Sequence, residues 1–450
     1  MHTHLRGHQG CLGLFPSICC RCSTYAGAAL IRISGLPSRP CSTRAVTQVV
    51  ASAQTLRFSF SALLRFLSTT TTSTRSLLAT TSSSSVTSMS SSSLRVALLQ
   101  LPVSPTGYAD GSNQGNAEEA VQAVLGEQDR DRSKKLDLVL LPEVWNGPYV
   151  ASGFPAYAEM IGDVGTIPSA TSCSSALPPK QAELPDVEAP EKGKGEQLQK
   201  NILKSSLSGL SVLAKEHSVT IVAGSIPERD EAGRIYNSSV VLSPVDGSIV
   251  AKHRKVHLFD IDIPGKITFK ESETLTGGTE VTTFGIQQST SANSESGDDK
   301  REQYLNLLQA GLLICYDLRF PELSLLARKR GAQVLCVPAA FNTVTGPKHW
   351  SLVMRARAID TQCYVLACSP ARDTANPKGY QAWGHSMIVS PWGEILAELD
   401  EKPGRIVFDL DMNEVAEARA GIPVGMQRRH DVYRLEEVAT TAANATSSKF

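Results

Sequence analysis

Two patterns alternate along this chain: short apolar runs that end at Pro, Gly or Asp, and segments in which apolar residues recur every three or four positions. From residue 94 onward, the runs LRVALLQLPV and LDLVLLPEVW predict strands, and the Ala, Val and Leu spacing of AEEAVQAVLGEQ between them predicts a helix. The segment LKSSLSGLSVLAKEHS predicts another helix and VTIVAGSIPE a strand, while IYNSSVVLSP and SIVAKHRKVHL flank the turn VDG as a hairpin. Strand, helix and strand then recur as LNLLQAGLLICYD, PELSLLARKRG and AQVLCVPAAF. A last helix, HWSLVMRARAIDTQ, leads into CYVLACSPA, and HSMIVSP, EILAEL and RIVFDLD form a β-rich end. The alternation gives an α/β fold, and the interrupting hairpins predict a mixed sheet or two sheets rather than one doubly wound sheet. No internal repeat is visible.

Three stretches carry neither pattern. Residues 1–93 are rich in Ser, Thr and Arg and end in a Ser/Thr tract that reads as a linker, so they are expected to be a disordered leader. Residues 164–196 and 287–303 are polar and without periodicity, and are expected to be insertions in a single domain spanning 94–440.

Composition sharpens this division. Net charge is zero, but the first 93 residues hold eight Arg and no Lys, Asp or Glu, which leaves 36 basic against 44 acidic residues in the remainder. An acidic body argues against nucleic acid as a partner. A basic, acid-free leader has the composition of an organellar transit peptide, which points to mitochondrion or chloroplast; a translation start at Met89 would instead leave the protein in the cytoplasm. No stretch reaches the roughly 20 apolar residues that a membrane span needs. Of ten Cys, five lie in the leader, where CCRC has no second Cys or His pair at zinc spacing. The other five, Cys173, Cys315, Cys336, Cys363 and Cys368, are irregularly spaced and read as thiols. Neither a metal nor another cofactor is expected.

Three residues stand where chemistry is plausible. Cys315 follows four apolar residues and precedes a helix-forming segment, so it sits at a strand-to-helix turn facing backbone N–H groups that lower a thiol pKa and stabilise an oxyanion. Glu143 ends an apolar run, where burial raises a carboxylate towards the range of a general base. Lys255 lies in KHRKVHLFD, sharing a strand face with His253 and His257. Taken singly, each has a bland alternative: a small core thiol, a cap or ion pair, a solvated lysine.

Together, LLPEVWNGPY, HRKVHLFD and ICYDLRFPEL resemble, in order, the Glu, Lys and Cys motifs of the nitrilase superfamily of carbon–nitrogen hydrolases, over roughly residues 94–435. The segments HLFDIDIPGKITFKES, FNTVTGPKHW, SPARD and WGHS are similar to its omega-amidase branch, whose members act on alpha-ketoglutaramate and alpha-ketosuccinamate; a sister branch acts on deaminated glutathione. The resemblance implies a four-layer αββα sandwich that pairs as a homodimer and a small amide as substrate. It implies Glu143 as proton carrier, Cys315 as nucleophile forming a thioester, Lys255 and the Tyr316 N–H as oxyanion donors, and Glu271 as the carboxylate that orders the lysine. Arg319, four residues past Cys315, is the candidate for the substrate carboxylate, with a structural pair to Asp317 or Glu322 as the alternative. Phe341 and Thr345 are candidate pocket walls, and His385 reads as structural. A nitrilase-fold binding protein without catalysis is the alternative from another class.

Overall fold

The computed structural model describes residues 93–131, 135–168, 205–265, 267–287 and 307–438. The leader, the CCRC cluster, Cys173 and most of the two polar segments lie outside these residues. In chain order the first half contains β1 (Ser93–Gln100), α1 (Ser112–Arg130), β2 (Leu138–Leu140), α2 (Ser208–Glu216), β3 (Thr220–Val222), β4 (Ile226–Arg229), β5 (Ile235–Leu242), β6 (Ile249–Arg254), β7 (Asp260–Ile263), β8 (Ile267–Lys270) and β9 (Thr282–Ile286). The second half contains β10 (Leu308–Leu312), α3 (Pro321–Lys329), β11 (Val334–Pro338), α4 (Gly346–Thr361), β12 (Tyr364–Cys368), β13 (Met387–Val389), β14 (Ile395–Glu398), β15 (Gly404–Asp411) and α5 (Asn413–Gly421).

These strands form two mixed sheets. One runs β15-β1-β2-β3-β5-β4, with β6 also paired to β5; the other runs β14-β13-β12-β11-β10-β9. The chain returns through β15 to pair antiparallel with β1 from Ser93↔Asp411 to Gln100↔Gly404, which closes the end of the domain onto its start.

The period-two alternation of side chains explains the layering. Along β1, Leu94, Val96 and Leu98 enter the core between the sheets, while Ala97 and Leu99 pack on the other face against α1 and α2 through Ala117, Val121, Leu125 and Leu210. Along β11, Val334 and Cys336 face the inter-sheet core, while Leu335 and Val337 pack against Ala327, Trp350 and Met354 of α3 and α4. Helices therefore cover the outer face of each sheet, giving the four-layer αββα sandwich.

Three elements differ from the sequence reading. VTIVAGSIPE is not one strand but two, broken at Gly224 (φ 58°). LDLVLLPEVW is a strand only over Leu138–Leu140, with Leu141 N still donating to Val222 O, and it ends where Pro142 has no N–H to donate and Val144 turns the backbone to φ 48°. The segment after Lys255 forms a separate two-stranded ribbon, β7 with β8, whose polar, exposed positions carried no strong strand signal.

Candidate active site

The three motif residues arrive from three strand ends and meet inside the sandwich. Glu143 follows β2, Lys255 follows β6 and Cys315 follows β10; Glu143 and Lys255 are wholly buried and Cys315 nearly so. Cys315 opens a 3-10 turn, Cys315–Arg319, and its own φ of 44° lies in the left-handed region. Such a conformation costs on the order of 1–3 kcal/mol for a residue with a Cβ. Asp317 holds it in place: its Oδ2 accepts from Ile314 N at 3.0 Å, while its own N–H donates to Ile314 O at 3.0 Å.

Lys255 Nζ lies 2.9 Å from Glu143 Oε1 and 2.9 Å from Glu271 Oε2. Burial alone lowers a lysine, but the two carboxylates outweigh it and hold the ammonium above its ordinary pKa. Glu143 Oε1 also accepts from Asn237 Nδ2 at 2.9 Å and lies 3.2 Å from Tyr149 OH, and Oε2 accepts from Ala340 N at 2.7 Å. Burial still raises the Glu143 pKa, with Glu271 adding to the rise and Lys255 opposing it. Burial and the nearby Glu143 charge push the Cys315 thiol pKa up, against the pull of Lys255. The resting state this favours is a neutral thiol beside a carboxylate with raised proton affinity, an arrangement suited to proton transfer as the sulfur attacks.

Glu271, fully buried at the end of the β7–β8 ribbon, accepts from Phe259 N at 2.7 Å and Tyr149 OH at 2.7 Å. One hydroxyl and one ammonium thus tie both glutamates together. Tyr149 stacks in turn against Phe269, at 5.7 Å between ring centroids, and Tyr380, at 4.6 Å.

On the open side of the sulfur, one pocket is lined by Cys315, Tyr316, Arg319, Phe341 and Thr345 together with Phe259 and Ala340. All four residues singled out for substrate contact therefore face the same space as the thiol. Arg319 does not pair with Asp317 or Glu322 among the described residues. Its Nη1 lies 3.1 Å from His349 Nδ1, and its guanidinium stands 5.0 Å from the Phe341 ring centroid. Asp317 is taken by His253 Nε2 at 3.0 Å and by the backbone N and Nδ1 of His257, each at 2.9 Å; these bonds hold its carboxyl well below the usual range despite complete burial. His385 lies apart, stacked on Trp383 and 3.2 Å from Glu398 Oε1. Among the described residues, no three or more His, Cys, Asp or Glu are grouped to hold a metal ion.

Tyr149, Asn237, Tyr380 and the anchoring role of Asp317 were not visible from motif reading. Asn237 alone left a signal: an amide in the middle of the apolar strand IYNSSVVL needs a buried partner.

The family model described as carbon-nitrogen hydrolase matches residues 95–420. The chain is 42% identical over 306 residues to the chloroplastic omega-amidase of Arabidopsis thaliana, covering 68% of this chain and 67% of that one. It is 39% identical over 345 residues to an omega-amidase of Homo sapiens, covering 77% and 98% respectively. A solved Saccharomyces cerevisiae structure, described as a member of branch 10 of the nitrilase superfamily, matches with a TM-score of 0.55 at 34% identity, covering 75% of this chain and 97% of that one.

Proposed function

Because the chain belongs to the carbon–nitrogen hydrolase family, in the omega-amidase branch of the nitrilase superfamily, and is an amidase, we propose that it hydrolyses the terminal carboxamide of small keto acids such as alpha-ketoglutaramate and alpha-ketosuccinamate. The observation that carries this reading is the pocket itself, lined by a thiol that feels the charge of a buried carboxylate and by an arginine with no carboxylate partner among the described residues. An arginine so placed is a receptor for a substrate carboxylate.

In this mechanism Glu143 takes the Cys315 proton as the sulfur attacks the amide carbon. The Lys255 ammonium and the Tyr316 N–H, which lies in the first turn where no helical acceptor precedes it, hold the oxyanion. Glu143 returns the proton to the departing ammonia, and the thioester is cleaved by water that Glu143 deprotonates. Glu271 keeps Lys255 charged and aimed. Phe341 and Thr345 form the wall along the acyl chain, and Arg319 receives the distal carboxylate.

The assembly we propose is a homodimer. Its support is a pair of exposed apolar residues on α4, Leu352 and Ile359, two turns apart and 66% and 54% exposed. No helix of the described residues is long and apolar enough to cross a membrane. The basic leader, together with the chloroplastic relative, supports an organellar address.

The decisive experiment measures ammonia release from alpha-ketoglutaramate and from deaminated glutathione. We expect the keto acid amide to be preferred, with Cys315→Ala folded and inactive on both. Preference for the tripeptide analogue overturns the substrate; turnover by Cys315→Ala overturns the nucleophile.

A further inference from the structure

Arg319 meets its hydrogen-bond partner in an unusual way for a half-buried arginine. Such a side chain normally pairs with a carboxylate, yet here Nη1 lies 3.1 Å from Nδ1 of His349. Arginine has five N–H donors and no acceptor, so the guanidinium donates and the imidazole accepts through its Nδ1 lone pair. The ring is therefore neutral, with its proton on Nε2.

We propose, resting on the reading that Arg319 receives the substrate carboxylate, that His349 is the positioning residue of that subsite: its Nδ1 fixes the direction of the Arg319 guanidinium while leaving the positive charge uncompensated. A carboxylate in the same place would orient the arginine equally well but would neutralise it, and the substrate would then have to displace it. A neutral acceptor sets the geometry without competing.

Two further contacts complete the alignment. The rings of Phe341 and Tyr316 support the guanidinium, at 5.0 and 5.5 Å from their centroids, so it is held by a hydrogen bond on one edge and by ring contacts. His349 itself is fixed in the first turn of α4, where its N–H donates to Thr345 O at 2.9 Å. Thr345 lines the pocket, so a single helical turn registers the wall residue and the arginine against each other.

The pair carries a pH dependence. A protonated His349 has no lone pair to offer and repels Arg319. Among the described residues, the charges that act on the ring are both positive, Arg319 from the nucleophile turn and Lys348 from its own helix. Burial first, and then these two cations, lower the His349 pKa below 6.5 and keep it neutral near pH 7. Acidification through that lowered pKa therefore weakens binding of the carboxylate.

The test compares wild type, His349→Phe, which keeps a ring but no acceptor, and His349→Asn, whose Oδ1 takes the place of Nδ1 and does not titrate. Steady-state kinetics on alpha-ketoglutaramate are followed from pH 5 to 8, with melting temperature as the control for folding. For His349→Phe at pH 8 the expected result is a rise in KM of about tenfold, the scale of one lost hydrogen bond to a charged group, with kcat within about threefold. For His349→Asn, KM near wild type at pH 8 is expected, without the rise that wild type shows on the acid side. A purely structural role would lower the melting temperature without separating KM from kcat. The proposal is overturned if His349→Phe leaves KM within twofold of wild type, or if His349→Asn retains the acid-side rise; the second criterion decides alone should the Phe variant not fold. Wild type that releases no ammonia from alpha-ketoglutaramate refutes the substrate reading instead, which keeps the two failures apart.

Discussion

Asp317 illustrates how a charge can be wholly buried and still stabilise a fold. Its two oxygens accept from Ile314 N, His257 N and the rings of His253 and His257, so it joins the turn that carries Cys315 to the strand end that carries Lys255. Phe320, at the end of the same turn, stacks on His257 with ring centroids 3.8 Å apart. Burial raises a carboxyl pKa, but here the histidine and backbone donors win and the folded value lies well below the ordinary 3.8. A depressed acid contributes stability above its unfolded pKa and loses it as pH falls towards the folded value. Asp317→Asn is therefore expected to cost about 3 kcal/mol near neutrality, as for other broken buried pairs. The gap in melting temperature between the two proteins should be flat above pH 5 and narrow below about pH 4. A gap unchanged down to pH 2 would show that the charge of Asp317 contributes nothing.

At the scale of elements, the site depends on where strands stop. The apolar run through β2 ends because Pro142 cannot continue the ladder, and the next residue is Glu143. The neighbouring segment must also break there. Gly224 separates β3 from β4 at φ 58°, and a Cβ on it would come within 2.1 Å of Pro142 O and 2.7 Å of Trp145 Cδ1. Both atoms belong to the turn that carries Glu143, so neither yields without moving the carboxylate. Gly224→Ala is expected to destabilise by more than about 2 kcal/mol, from the backbone strain plus the clash. It should also lower kcat by at least tenfold, measured by urea unfolding and ammonia release. A variant with lowered stability but full kcat would separate the break from the geometry of Glu143.

At the scale of the whole molecule, the two sheets bury their inner faces against each other and their outer faces against helices, yet α4 keeps Leu352 and Ile359 exposed. These two residues, with the exposed Arg355 between them, are the surface through which we propose that two copies of the chain pair. With Leu352→Glu and Ile359→Glu together, sedimentation is expected to shift from dimer to monomer while the α/β circular dichroism spectrum is kept. A wild-type chain that sediments as a monomer at micromolar concentration would refute the pairing.

The sequence by itself determined most of the order of strands and helices and an α/β fold with a mixed sheet or two sheets, because these follow from periodicities of two and 3.6 residues that are local to the chain. It also marked Glu143, Lys255 and Cys315, not singly but through three motifs standing in one order along the chain. What it could not encode locally is convergence. Ala340 N reaches Glu143 across 197 positions, Asp317 meets His253 across 64, and His349 meets Arg319 across 30. No period or spacing predicts such meetings. Only the packing of two sheets face to face brings their strand ends together, and burial there sets each group's charge.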